Sequence, residues 1–277
     1  ETVPLSAEAA VLEAEESIGA GETAEPSSIP EAVDGVITLT ENVTQATYEI
    51  TDDVVLDLNQ KTLDAAVSIV GNAANVTIKN GTITGGSGYV IRVTSKTASL
   101  TLENVIILGK EHVDTAGTGG VYFNDSGVNF TMINSEIHAG DVKLVDVAKA
   151  KHTTEPESAL YLRHLSGDVT ITGSTIYGGS ILHDELIEKR NDPNDTTGYD
   201  PNYPATAGFF NPSVPTTVDF ISTGKLTVSG CKIYGGHNDV QNAGEAALKL
   251  QGNGATTEII DTLLQGGDAA RNCTAPG

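Results

Sequence analysis

The chain repeats itself, and the repeat limits the folds open to it. A twelve-residue pattern recurs seven times, at residues 55–66, 75–86, 99–110, 129–140, 168–179, 225–236 and 256–267. Its second and fourth positions are nearly always apolar, as in Val76 and Ile78, Leu100 and Leu102, Phe130 and Met132, or Leu226 and Val228. Its ninth is always Leu or Ile: Leu63, Ile83, Ile107, Ile137, Ile176, Ile233 and Leu264. Its sixth is Gln60, Asn80, Asn104, Asn134, Gly173, Gly230 or Asp261. Gly, Asn and Asp tolerate a left-handed backbone at low cost, so each copy reads as two short strands joined by a tight turn.

A further short strand precedes most copies, beginning at Val67, Tyr89, Val121, Leu160, Val218 and Leu248. Alternation along it is that of a strand with one buried face. One such unit cannot bury its apolar side alone, whereas stacked units share a continuous core. The predicted fold is all-β: a right-handed parallel β-helix with three strands per coil and about seven to eight coils. The division expected is a cap and linker over residues 1–34 and the β-helix over 35–277. Ser6 can cap a short helix over residues 7–18, ended by Gly19, which would cover the first coil.

The Asn-type turns, the internal Ile/Val/Leu stacks and the opening runs at 35–44 and 55–63 resemble the right-handed parallel β-helix of the pectate-lyase superfamily. The opening runs are similar to pectate-lyase-like domains of bacterial surface and adhesive proteins. The resemblance covers about residues 35–267 and concerns the fold, which hosts lyases, hydrolases, adhesins and fibre proteins alike. It implies that the outer face of the first strand, and the corner beside it, border the substrate cleft. Lyases of this family hold calcium with several carboxylates there; this chain offers Asp219 alone on that row.

With 15 basic against 37 acidic residues the net charge is −22, which argues against nucleic acid and against anionic membrane surfaces. No apolar run approaches membrane-spanning length. Two cysteines, Cys231 and Cys273, lack metal-site spacing and are expected either to form a disulfide or to remain separate thiols. Asn-x-Ser/Thr sequons, at Asn75, Asn80 and Asn129 among others, arise wherever a turn Asn precedes a strand Thr. The composition suits an extracellular or cell-surface protein.

Successive copies start 20, 24, 30, 39, 57 and 31 residues apart, and the added length falls at one corner, after the third strand. Insertions at one corner project together and form the expected contact side. The largest, residues 179–217, is expected to hold a short helix over 181–190 and a proline- and aromatic-rich lid.

Outward positions of the first strand give the leading candidate site. Tyr122 and Tyr161 are expected to stack, with Arg92, Asn124 and Arg163 in the adjoining row. Asp219 and Lys249 follow on the next two coils, and His164 adjoins Arg163. Arg, Tyr and Asn together suit recognition of sugar hydroxyls and carboxylates. Alternatively the arginines pair with acids of the overlying loops, such as Asp141, Asp184 or Glu188. Arg163, Asp219 and His164 are the candidates for catalysis. Tyr177 and Tyr234 are expected to stack on the outer row of the third strand, as surface support or as a carbohydrate platform. Asp192, Asn194, Asp195 and Asp200 could gather around Ca2+, the single cofactor considered. The function expected is a non-catalytic extracellular adhesin or fibre/scaffold module, contacting a polysaccharide or a host or cell-surface glycan. The alternatives are a polysaccharide lyase or glycoside hydrolase on the first-strand face, and a filament subunit that self-associates through an open β-helix end.

Overall fold

The computed structural model describes residues 28–143, 145, 157–182, 216–237, 246–251 and 256–267. These are all-β, with no helix among them, and form a 19-stranded sheet and a 3-stranded sheet. The helix expected over 7–18 lies outside the described residues.

Every strand pairing in both sheets is parallel, and each strand pairs with its counterpart in the neighbouring repeat. Three ladders result. One contains Leu160–Arg163 between Gly119–Asn124 and Val218–Ile221. A second contains Val169–Thr172 between Phe130–Ile133 and Leu226–Ser229. The third contains Thr175–Tyr177 between Glu136–His138 and Lys232–Tyr234.

The ninth-position residues fall into one unbroken file. Leu63 pairs with Ile83, Ile83 with Ile107, and the register continues through Ile137, Ile176 and Ile233 to Leu264. The six from Leu63 to Ile233 are fully buried, whereas Leu264 in the last repeat is 40% exposed. Burying an Ile or Leu side chain stabilises by about 1.5–3 kcal/mol, so the file is a large part of the core's contribution.

All seven sixth-position residues have a left-handed backbone, with φ between 45° and 64°. The first copy departs from the common spacing. Leu56 pairs with Ile78 rather than Val76, so its turn is two residues longer and holds both Asn59 and Gln60 at positive φ. In the next copy, a Cβ on Gly81 would lie 2.5 Å from that of Leu58, so this turn accepts the extra residues only opposite glycine.

Seventh positions form a column the apolar pattern does not reveal. Val105 N–H donates to Ser135 Oγ (3.0 Å), Ser135 N–H to Ser174 Oγ (3.1 Å), and Cys231 N–H to Thr262 Oγ1 (3.3 Å). Each hydroxyl donates in turn to the carbonyl two residues back: Ser135 to Ile133, Ser174 to Thr172, Thr262 to Ile260. Cys231 does the same through sulfur, with Sγ 3.2 Å from Ser229 O. The turn leaves these backbone groups outside the strand ladders, and an unpaired buried N–H costs about 1–3 kcal/mol, so the column is what lets the bend be buried.

Cys231 is a free thiol, 2% exposed, and burial pushes its pKa up. Its sulfur takes the place of a column hydroxyl and faces backbone carbonyls; Cys273, its partner in the disulfide alternative, lies outside the described residues. Sequon amides are likewise in use. Asn75 Nδ2 donates to Asp53, Asn80 Nδ2 to Asp57, and Asn129 Nδ2 to Ser99.

The insertion corner carries a small ladder of its own. Val142–Lys143 pairs with His112–Val113 on one side and Ile181–Leu182 on the other. Ile181 and Leu182 are therefore strand, not the start of the helix expected over 181–190; the rest of that segment lies outside the described residues. The corner needs glycine, since a Cβ on Gly140 would lie 2.0 Å from Lys110 O.

Asn134, at φ 45°, gives the sharpest test of the turn. Asn134→Gly should change stability by less than about 1 kcal/mol, since two other copies use Gly there. Asn134→Val should cost at least about 2 kcal/mol in urea unfolding, because a β-branched residue resists this backbone. In a Cys273→Ser background, Cys231 should react with a thiol reagent only on unfolding. Rapid labelling of the native protein, or a 231–273 disulfide in the oxidised parent, would refute the column assignment.

Candidate functional site

Alternation on the first ladder turns one residue in two outward, and the parallel register lines these up. The outer row runs Ser68, Arg92, Tyr122, Tyr161, Asp219 and Lys249. Arg92 therefore belongs to the tyrosine row, not to the adjoining row of Asn124 and Arg163 where the sequence frame put it. The cause is a two-residue offset: Ile91 and Val93, not Tyr89 and Ile91, continue the inward files begun by Val67 and Ile69. Val90, expected to face outward, is fully buried.

Tyr122 and Tyr161 stack as expected, with ring centroids 4.9 Å apart and planes 11° from parallel. Arg92 Cζ sits 4.7 Å from the Tyr122 centroid, and Arg163 Cζ 4.4 Å from that of Tyr161. The four side chains make an Arg–Tyr–Tyr–Arg stack. Ring faces are thus covered by one another and by guanidinium groups, each such contact adding about 0.5–1 kcal/mol.

Tyr89 was not singled out by its sequence position. Its ring lies 4.8 Å from Tyr122 and 6.3 Å from Tyr161, and its hydroxyl donates to Glu157 Oε2 at 3.0 Å. Burial, then the Glu157 charge and hydrogen bond, hold this phenol protonated well above its ordinary range. Gly119 makes room: a Cβ there would lie 2.5 Å from the Tyr89 ring. The usable signal was Gly119-Gly120 opposite an aromatic residue.

Asp219 is the buried charge of the face, only 6% exposed. Its Oδ2 accepts from Arg163 Nη2 at 2.5 Å and lies 3.6 Å from Lys249 Nζ. Burial opposes the Arg163 charge, but the Asp219 hydrogen bond and charge outweigh it and raise the guanidinium pKa. Two atoms of this pair, Asp219 Oδ1 and Arg163 Nε, are buried without a hydrogen-bond partner. Arg163 thus pairs with the next repeat on its own face. Asp141, one of the loop acids proposed for it, instead accepts from Ser180 N–H at the insertion corner, and burial raises its pKa. Asp184 and Glu188 lie outside the described residues.

The remaining candidates are more dispersed. Asn124 is exposed at the end of its strand and pairs in register with Arg163. His164 is an exposed turn residue at φ 59°, and its N–H donates to Ile221 O. On the third ladder, His138, Tyr177 and Tyr234 form a continuous stack, with centroids 4.4 Å and 5.1 Å apart. His138 Nε2 lies 2.5 Å from Glu136 Oε1, and that hydrogen bond lowers the Glu136 pKa against the opposing effect of burial. A hollow lined by Asn104, Ser135, Glu136 and Gly173 shares no residue with the first-ladder cluster.

Among the described residues, no group of three or more His, Cys, Asp or Glu side chains could hold a metal ion. The calcium candidates Asp192, Asn194, Asp195 and Asp200 lie outside them. No helix among the described residues is long and apolar enough to cross a membrane.

Arg163→Ala removes the close partner of a carboxylate that stays buried. It should cost about 1–3 kcal/mol, less than a fully enclosed pair because Arg163 itself is partly exposed. Arg163→Ala in an Asp219→Val background should recover most of that loss; equal losses in both backgrounds would exclude the pairing. Acid stability provides a second check. Glu136 is held below its ordinary pKa, and so is Asp57, where hydrogen bonds from Asn59 and Asn80 and the Lys79 charge overcome burial. Groups depressed in the folded state stabilise it above their unfolded pKa and lose that contribution as pH falls through the folded value. Between about pH 5 and about pH 3, Tm should therefore fall less in Asp57→Asn plus Glu136→Gln than in the parent; parallel curves would contradict this.

Compared with known protein families, with curated proteins and with solved structures, the chain has no match in any of the three.

Proposed function

We propose that the chain is a right-handed parallel β-helix of the pectate-lyase-like kind, acting as a non-catalytic adhesin or scaffold module at the cell surface or outside the cell. The parallel pairing of each strand with its counterpart one repeat on supports the β-helix, and the strong preference for right-handed parallel crossovers supports its hand.

The observation that carries the function is the outer row of the first ladder. Arg92, Tyr122, Tyr161, Asp219 and Lys249 occupy five successive rungs, a strip of about 19 Å at about 4.8 Å per rung. Its charges are spent on one another: the guanidiniums cover tyrosine rings, and Asp219 is tied to Arg163 and Lys249. A strip ordered in this way before a ligand arrives loses little freedom on binding. An extended glycan lying along the rungs matches this shape.

Glu157 favours the enzymatic alternative, because Tyr89 brings a second carboxylate to the cluster that carries Asp219. A lyase or glycosidase would use such a pair. Incubation with pectin, alginate and neutral glycans separates the two. The adhesin reading expects retention without turnover, and at least about tenfold weaker retention by Tyr122→Ala plus Tyr161→Ala. Turnover that vanishes in Arg163→Ala or Asp219→Ala would establish the enzyme instead.

A further inference from the structure

We propose that the Arg163–Asp219 pair is a built subsite for an uncharged, hydroxyl-bearing sugar residue, entered by displacing Lys249. This rests on the glycan-binding reading of the first-ladder face and specifies which glycans it takes.

Asp219 is more than nine-tenths buried, yet only one of its oxygens is used. Oδ2 takes both cations, and Oδ1 takes nothing. Arg163 spends Nη2 on Asp219 and leaves Nε unpaired. Leaving two such atoms unmet is costly, and a low-dielectric setting raises the cost. The pair is one N–H donor and one carboxylate acceptor joined by the same salt bridge. Its complement is a group offering an acceptor and a donor on neighbouring atoms, which is what vicinal hydroxyls supply.

Charge selects against the acidic alternative. A ligand carboxylate would meet the buried negative charge of Asp219, while Arg163 is already bound to it and Arg92 lies over Tyr122. A neutral hydroxyl pair meets no such repulsion. Lys249 is the movable part. Its side chain is 45% exposed and its Nζ, at 3.6 Å from Oδ2, is beyond a good hydrogen bond. It can swing into solvent at small cost, which frees the Oδ2 side of Asp219.

The test uses the full chain and two sets of probes, neutral oligosaccharides (β-glucan, mannan and galactan fragments) and uronate oligosaccharides, with binding followed by calorimetry. Arg163→Met plus Asp219→Val deletes both unmet atoms without stranding a charge, a replacement that buried ion pairs commonly tolerate. Its Tm should stay within a few degrees of the parent, as a check that it folds. Expected are binding of a neutral probe by the parent, at least about tenfold weaker binding by the double variant, and about two- to fivefold tighter binding by Lys249→Met. A purely structural role for the pair would leave the Lys249→Met affinity unchanged. Preference for uronates overturns the inference. So does neutral-probe binding that is lost in Tyr122→Ala but retained in the double variant, while leaving the adhesin reading intact. Absence of binding to every probe removes both.

Discussion

Parallel pairing in strict register is the interaction on which the rest of the molecule depends. Once Ile137 lies over Ile107 and under Ile176, every residue at a given repeat position is committed to a file of its own kind. Apolar positions then make a continuous core. Polar positions make columns, and any mismatch is felt by the rungs on both sides. The bends are where such an arrangement is most exposed to cost, because backbone groups leave the ladders there. The left-handed residue at the sixth position turns the chain, and the hydroxyl or thiol at the seventh closes the hydrogen bonds that the turn opens. Ser135, Ser174, Cys231 and Thr262 are one solution applied four times.

The same register generates the candidate site without dedicated machinery. A tyrosine at one repeat position becomes a stack when the next repeat also carries one there. An arginine beside it becomes a lid on the ring, and an aspartate on the following rung becomes its counter-ion. Tyr122, then Tyr161 with Arg163, then Asp219 come from three strands separated by tens of residues, yet lie on three successive rungs. The insertion corner adds a short ladder of its own at His112–Val113, Val142–Lys143 and Ile181–Leu182. Length added at one corner thus need not disturb the register elsewhere.

Much of this could be read from the amino-acid sequence, for a physical reason: a file of like residues repeats its own chemistry. The ninth-position file, the turn residues, the Tyr122–Tyr161 and Tyr177–Tyr234 stacks and the shared row of Tyr161, Asp219 and Lys249 all follow from spacing alone. What spacing misjudged was any place where two frames fit the apolar pattern equally well. Tyr89 is aromatic and looked inward, so the strand was framed two residues early and Arg92 was assigned to the wrong row. Leu56 can match Val76 or Ile78, and only the longer turn at Asn59 and Gln60 decides between them. The Ser/Cys/Thr column was invisible because small polar residues carry no periodic hydrophobic signal. The pairing of Val142 with Ile181 was hidden because two-residue strands have no period at all.

The central claim is that side chains couple along files, rung to adjacent rung. Double-mutant cycles in urea measure this directly, with Ile137→Ala and Ile176→Ala as the adjacent pair and Ile83→Ala and Ile233→Ala as the distant pair. Interlocked rungs predict an interaction energy of at least about 0.5 kcal/mol for the first cycle and additivity within about 0.3–0.5 kcal/mol for the second. Additivity between Ile137 and Ile176, or coupling of Ile83 to Ile233 as strong as theirs, would contradict it.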